Sequence, residues 1–389
     1  MIKHILTLIW NKRRKNFLLF LEIFLAFAVL FAVFTFAIQS FRTYSTPLGF
    51  DTENSWVAFL DWDEAIDSAA LVNMKLQLER ELEDKAEIQS ISYIGNVTPL
   101  SNSMWRTTND DNGFELSTLI IQCDEDYLET AGLKLVEGRW FNEDDHLGKY
   151  SPVVINKMLR EDAFGTNKIL DSVYTINEEH KFVGVVEHFK YRGEFREEDN
   201  LTFFLRPKGS RDLPHIAIRV KPNTPASFEE EVNKTIASVT KRNDFIIVNL
   251  DQQREEGSRE SWIPLVASLS ICGFLIINVA LGLFGVLWYT ISKRKAEIGL
   301  RRTVGATKNR ITSQFISEVL MVAAIAIIFG IFFAIQLPLM NVIEDIHNSN
   351  YYLSIGFTSL LILTVVLLCA FYPSRQAAGI HPAIALHEE

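Results

Sequence analysis

The chain has 389 residues, 48% hydrophobic and 12% aromatic with 28 Phe, yet 22% are charged and the formal net charge is −10. This mixture sets aside a wholly soluble chain and points to membrane segments joined to a large aqueous domain. The acidic balance also sets aside nucleic acid as a partner, because phosphate backbones demand a basic footprint.

Residues 1–16 carry Lys3, Lys12, Arg13, Arg14 and Lys15 and are predicted to be a cytoplasmic N-terminal segment, since basic flanks stay inside. The apolar run from Phe17 to Ile38 predicts transmembrane helix 1 over residues 17–41, long enough for the ~20 residues a span requires. It outruns the h-region of a signal peptide, and no small-x-small cleavage site closes it before "QSFRTYSTP", so a retained anchor is expected. Glu22 lies within it, where a central charge would cost roughly 2.5 to 3.5 kcal/mol. Near the end of the span it reaches the interface, so it is read as structural rather than as a proton or substrate site.

Residues 42–260 hold 25 basic and 41 acidic side chains, a net of −16, whereas the rest of the chain holds 13 basic and 7 acidic. This acidic stretch is predicted to be an extracytoplasmic domain. "WVAFLDW" is strand-like, "DSAALVNMKLQLERELEDKA" has helical periodicity behind Asp67 as a cap, and "IQSISYIG" is a second strand. The pattern returns as "PHIAIRV", then "SFEEEVNKTIASV" with Ser227 and Glu230 at capping-box spacing, then "DFIIVNL". These units define an α/β lobe over about 55–97 and 213–250. Between them a β-rich lobe, about 98–212, is predicted from "SPVVIN", "HKFVGVVEHF" and "LTFFLRP". Cys272 and Cys369 lie in apolar runs and Cys123 has no partner in the domain, which excludes an intradomain disulfide.

Further apolar runs, Ile263 to Ile291, Phe315 to Leu339 and Tyr352 to Tyr372, predict transmembrane helices 2, 3 and 4 over residues 261–291, 313–339 and 352–372. The segment 292–312 holds Lys293, Arg294, Lys295, Arg301, Arg302, Lys308 and Arg310 and is placed in the cytoplasm. The loop 340–351 has acids but no Lys or Arg and suits the outside, and the tail 373–389 returns to the cytoplasm. Helix 1 runs into "QSFRTYSTP" and helix 2 is preceded by "DQQREEGSRESW", so both connections are predicted to extend as helical stalks. Pro264 there predicts a break, a kink or the first turn of a new helix.

Across Ser292 to Phe315, Leu300, Val304, Ile311 and Phe315 are expected on one helical face, and Glu297 is spaced to pair at i,i+4 with both Lys293 and Arg301. Gly305 and Ala306 mark its end or a bend. The result is an amphipathic cytoplasmic helix. Residue type alone fits equally a helix resting on anionic headgroups and one docked on a protein.

The stretch "KRKAEIGLRRTVGATKNRITSQFISEVL" resembles the cytoplasmic signature of MacB/FtsX-like permeases, transmembrane subunits of mechanotransmitting ABC transporters. "YLETAGLKLVEGRWFNEDD", "SPVVIN" and "KFVGVVEHF" resemble the family's extracytoplasmic domain, and "YPSRQAAGIHPAIALHEE" its C-terminal end; the part of the domain up to about Thr118 matches least. The resemblance implies an α-helical membrane protein with four transmembrane helices and a large extracytoplasmic α+β domain, in the bacterial cytoplasmic (inner) membrane with both termini cytoplasmic. It further implies that Glu297, Ile298, Gly299, Leu300, Arg301, Arg302, Gly305 and Ala306 form a coupling helix that docks on a cytoplasmic ABC ATPase. A second permease copy or paralogue, a periplasmic adaptor and membrane lipids are the other partners implied.

Missing motifs narrow the chemistry. The 389 residues contain no G-x-x-x-x-G-K-[ST] phosphate loop, so the chain is expected to be non-catalytic and without a cofactor of its own, ATP being bound by a separate ATPase. No G-x-S-x-G occurs, and His146, His180, His188 and His215 lack metal-ligand spacing, so surface or packing roles are expected for them. Trp56, Trp62, Trp105 and Trp140 are expected in the core or its rim. Two rival classes stand beside a transporter subunit. A membrane-anchored sensor would need a cytoplasmic output module, which two further spans and a short tail do not provide. An ATP-gated scaffold regulating an extracytoplasmic hydrolase would look the same in sequence.

Overall fold

The computed structural model of the protein describes residues 13–109, 116–165, 169–176, 178–340 and 346–378. The chain divides into two units, Thr43–Ser261 and a second made of Met1–Arg42 with Trp262–Glu389. The predicted N-terminal segment up to residue 12, part of the outside loop (341–345) and the tail from 379 lie outside the described residues.

In Thr43–Ser261 the sheet begins with β1 (Ser55–Phe59), followed by helix α2 (Ser68–Glu83) and β2 (Ile88–Ile94). Asp67 caps α2 by accepting the Ala69 amide at 3.1 Å. The later unit is β10 (His215–Val220), α5 (Phe228–Thr240) and β11 (Ile246–Asn249). Its expected capping box does not form. Ser227 is itself helical and makes no side-chain cap bond, while Glu230 turns outward to pair with Lys234 at 2.8 Å. The two units interleave rather than lie side by side. Strand order is β11-β1-β10-β2, with β1 antiparallel to both β10 and β11 and β10 antiparallel to β2. This is the split βαβ arrangement, with everything from Gly95 to Pro214 inserted between its second and third strands.

Period-2 alternation divides the strand residues between two cores. Trp56, Ala58, Ile91, Ile216 and Ile218 join Leu71, Leu78, Leu82, Val232 and Ile236 of the two helices. Val57, Ile94 and Ala217 belong instead to the core shared with the inserted lobe. Lys75 of α2 is 1% exposed and donates to the carbonyls of Ser210 and Leu213, both at 2.7 Å, which pins the helix to the end of the insertion. Burial pushes its ammonium pKa down to about 8.

The inserted lobe carries β3 (Arg106–Asn109), β4 (Leu116–Cys123), β5 (Leu135–Gly138), β6 (Ser151–Asn156), β7 (Val173–Ile176), β8 (Glu178–Val186) and β9 (Leu201–Leu205). The sheet continues across β2-β4-β9-β6-β8-β5, with β4–β9 and β6–β8 parallel. The lobe is not purely β. It also holds the short helices α3 (Tyr127–Ala131) and α4 (Lys157–Phe164) and a 3₁₀ turn at Glu143–Leu147. Trp56, Trp62 and Trp140 are core residues, whereas Trp105 is 51% exposed. His215 accepts the Leu60 amide, His188 pairs with Glu198 at 2.7 Å, His146 lies 3.4 Å from Glu125, and buried His180 packs edge-on against Phe204. Each imidazole thus has a packing or pairing role.

Asp124, at the junction of the two lobes, is fully buried. It accepts from Ser92 Oγ at 2.6 Å and the Tyr93 amide at 2.7 Å, but burial outweighs these bonds and pushes its pKa up to about 7. Asp126, another carboxylate, adds to the rise, and Lys208 opposes it. The folded state therefore holds a proton that the unfolded chain releases near pH 4, so this group's contribution to stability is greatest below about pH 4 and declines as pH rises to about 7. The full swing is on the order of 4 kcal/mol. Asp124→Asn, which keeps the acceptor and loses the charge, is expected to flatten the pH 4–7 dependence of the unfolding midpoint, followed by tryptophan fluorescence of the full chain in detergent. An unchanged slope would place the titration elsewhere.

The second unit is built on α1 (Arg13–Ser45), α6 (Leu250–Lys293), α8 (Lys308–Leu339) and α9 (Asn348–Ala378), all long and apolar enough to cross a bilayer. Ile23, Phe27, Leu283, Leu287, Ala323, Ala326, Val366 and Ala370 form its shared core. Phe27 occupies the space a Cβ on Gly330 would need, 2.3 Å from the ring. Ile263, Phe274, Leu281, Phe333 and Leu368 are exposed, as lipid-facing side chains are. α6 is continuous through Pro264, which leaves neither a break nor the start of a new helix there, and Ser268 Oγ donates to the Pro264 carbonyl at 2.7 Å. The helix also takes in the expected stalk before residue 261. At 44 residues α6 is roughly 66 Å long, about twice the ~30 Å hydrocarbon layer, so "DQQREEGSRESW" is helical.

Candidate functional site

Between α6 and α8 the sequence changes from apolar to basic, and the helix is interrupted. Arg294 leaves helical geometry at φ −107°, ψ 12°, and a separate helix, α7 (Lys295–Thr303), begins. Lys293 therefore lies on α6 and Glu297 on α7, which removes the expected i,i+4 pair between them; Lys293 Nζ sits 4.8 Å from the Tyr289 ring centroid. Glu297 keeps its other predicted partner, Arg301, at 2.5 Å.

Helix α7 ends in a Schellman motif. The Ala306 amide donates to the Arg301 carbonyl at 2.9 Å and the Gly305 amide to the Arg302 carbonyl at 3.2 Å, with Gly305 at φ +97°. Only glycine adopts that angle without strain. Thr307 then caps α8, its side chain accepting the Arg310 amide. "VGAT" is thus a stop, a turn and a start.

This turn corrects the predicted apolar face. Ile311 and Phe315 lie on α8, beyond the turn, so helical spacing no longer relates them to Leu300 and Val304. The buried cluster is instead Ile291, Ile298, Ile311 and Phe315, with Ala306 packed against it. Ile298 is 2% exposed and Gly299 is buried, whereas Leu300 and Val304 are 58% and 82% exposed. Glu297, Arg301 and Gly305 are exposed beside them and Arg302 is half-buried. The eight predicted site residues therefore divide into a seated side and a displayed side.

A polar chain that the sequence reading missed fastens the seated side. Arg301 donates to Gln314 Oε1 at 2.6 Å, Gln314 to Glu318 at 3.3 Å, and Arg294 to Glu318 at 2.9 Å. Both side chains of the last pair are less than 20% exposed, and the Arg294 guanidinium lies 5.6 Å from the Phe315 ring centroid. A charge-assisted bond so shielded is worth about 1.5–3 kcal/mol. An acid four residues into the apolar run of "SQFISEVL", with Gln four residues before it, was the available signal.

This site is a helix held on one side by isoleucines and an ion pair, with an exposed apolar pair and charged side chains on the other. It can bind.

Comparison with known proteins fits this architecture. Residues 17–235 match the MacB-like periplasmic core domain, and residues 269–382 match the FtsX-like permease C-terminal domain. The macrolide export ATP-binding/permease protein MacB of Bradyrhizobium diazoefficiens is 25% identical over 325 residues, 79% of this chain and 48% of that protein. The probable syringafactin export ATP-binding/permease protein SyfD of Pseudomonas syringae pv. syringae is 27% identical over 320 residues, 78% of this chain and 48% of that protein. The chain spans about half the length of the curated relatives it matches. The crystal structure of the periplasmic region of MacB from Actinobacillus actinomycetemcomitans covers 55% of this chain and 97% of that one, at 16% identity and a TM-score of 0.39. On the two family matches, which together take in both the membrane helices and the domain between them, the chain belongs to the MacB/FtsX-like ABC transporter permeases.

Proposed function

We propose that this chain is a non-catalytic subunit in which a separate cytoplasmic ATPase docks on α7, and that ATP-driven movement passes through the membrane helices to the extracytoplasmic domain to export or extract a substrate. One observation carries the reading: α7 buries Ile298 while Leu300 and, at its C-cap, Val304 are exposed on a helix that also exposes the Glu297–Arg301 pair. An apolar centre bordered by polar and charged side chains matches the anatomy of a protein interface, an apolar core with a polar rim. Export is supported by relatives whose names join ATP binding, a permease and export. ATP is then bound by the partner. A second permease copy or paralogue, a periplasmic adaptor and lipids complete the assembly, and both termini face the cytoplasm of the inner membrane.

The test is purification of the chain from native membranes in mild detergent. An ATP-hydrolysing subunit is expected to accompany it, with faster hydrolysis when the chain is present; a chain that purifies without one contradicts the proposal. Orientation has its own check. Thr307 and Asn223 are both exposed. In intact cells Thr307→Cys is expected to resist an impermeant thiol reagent and Asn223→Cys to react, and labelling of Thr307→Cys would overturn the topology.

A further inference from the structure

Two helices that also contribute spans end or begin in Thr43–Ser261: α1 closes at Ser45 and α6 opens at Leu250. Far apart in sequence, both meet the same connection, residues 187–200 between β8 and β9. Lys190, 1% exposed, donates through Nζ to the Thr43 carbonyl in the last turn of α1 and to the Glu194 carbonyl, both at 2.6 Å. Its amide donates to the Leu48 carbonyl at 2.8 Å, and Phe195 packs on Tyr44 with ring centroids 5.1 Å apart. Glu194 then faces the other helix. Its carboxylate accepts from Arg254 Nη2 at 2.5 Å, Arg254 Nε at 3.0 Å and Ser258 Oγ at 3.1 Å, positions one turn apart on α6.

The connection is itself fixed to the sheet. Asn156, fully buried at the end of β6, donates to Glu198 and to the Asp199 carbonyl at 2.8 Å each and accepts the Leu201 amide at 3.1 Å. Glu198 also accepts the Phe189 amide at 3.0 Å and pairs with His188. Ordering one loop by so many charge-assisted bonds, when its two helices could each have been held locally, concentrates both attachments at one point.

We propose that Lys190 and Glu194 are positioning residues forming a single clamp, which makes the domain ends of α1 and α6 move as one body with the sheet. This deepens the transmission reading above and rests on it for its consequence, while the clamp itself is testable without any ATPase. Its signature is cross-talk. With independent attachments, loss of the Glu194 carboxylate would loosen only α6; with a shared clamp the freed connection also loosens the end of α1, which it holds through Lys190 Nζ on the Glu194 and Thr43 carbonyls.

Hydrogen exchange of the full-length chain in lipid nanodiscs reads this directly. Glu194→Gln is expected to speed amide exchange at least tenfold in both 250–261 and 43–48, leaving β1 and β10 unchanged. The double variant Glu194→Arg, Arg254→Glu is expected to restore protection in 250–261. Lys190→Met should reproduce the joint loss; should it not fold, Glu194→Gln alone decides. Loosening confined to 250–261, or protection unchanged in both segments, overturns the clamp. Joint loosening with export undiminished in cells would leave the clamp standing and contradict the transmission reading instead.

Discussion

Replacing Leu300 and Val304 together by Asp is expected to abolish recovery of the ATPase with the chain and its stimulated hydrolysis, while the chain still inserts and purifies in normal yield. Both side chains are already 58% and 82% exposed, so their loss costs the fold little. In a docked interface each apolar anchor is worth about 2 kcal/mol, and an acid in its place leaves a desolvated charge, so affinity should fall by at least ~100-fold. Lipid contact alone would give a different pattern in a second variant. Glu297→Lys adds positive charge and strengthens binding to anionic headgroups, yet it reverses the sign beside Arg301 and is expected to weaken docking. Unchanged partner recovery and ATPase stimulation in Glu297→Lys would favour headgroups over a protein.

The second large effect is mechanical. A run of several Gly and Ser inserted after Glu256 interrupts the continuous helix Leu250–Lys293 between Arg254 and Ser258, the two residues bound to Glu194. A helix carries displacement along its axis, whereas a Gly/Ser linker behaves as a flexible coil and absorbs it. Expression and ATP hydrolysis by the complex should stay near normal while export of its substrate is abolished. If export survives the insertion, α6 is a tether and not a transmitter.

What could be read from sequence and what could not divides along local and non-local lines. β1, α2, β2, β10, α5 and β11 were each legible because alternation, helical periodicity and the Asp67 cap are local signals. Their interleaving was not, since nothing within 55–97 says that β1 will lie between β10 and β11. β4 went unread beside its masking polar neighbours, and α3 and α4 are too short at 5 and 8 residues to show a period. At the candidate site, the basic cluster and the Gly305 turn were legible. The apolar face was misread because periodicity was carried across that turn and across Arg294, each of which resets the helical phase. Ser227 shows the same limit at smaller scale: capping-box spacing is necessary for the motif, but the backbone at Ser227 is already helical, so its hydroxyl is not presented to the free amides.

The central claim, that α7 displays Leu300 and Val304 to a protein and not to lipid, is tested most directly by placing a photoreactive amino acid at Val304 in the full-length chain and irradiating native membranes. The expected product is a covalent adduct with an ATP-binding protein, formed from position 304 and absent from the buried position 298. Adducts with phospholipid alone at position 304, at every nucleotide condition, would contradict it.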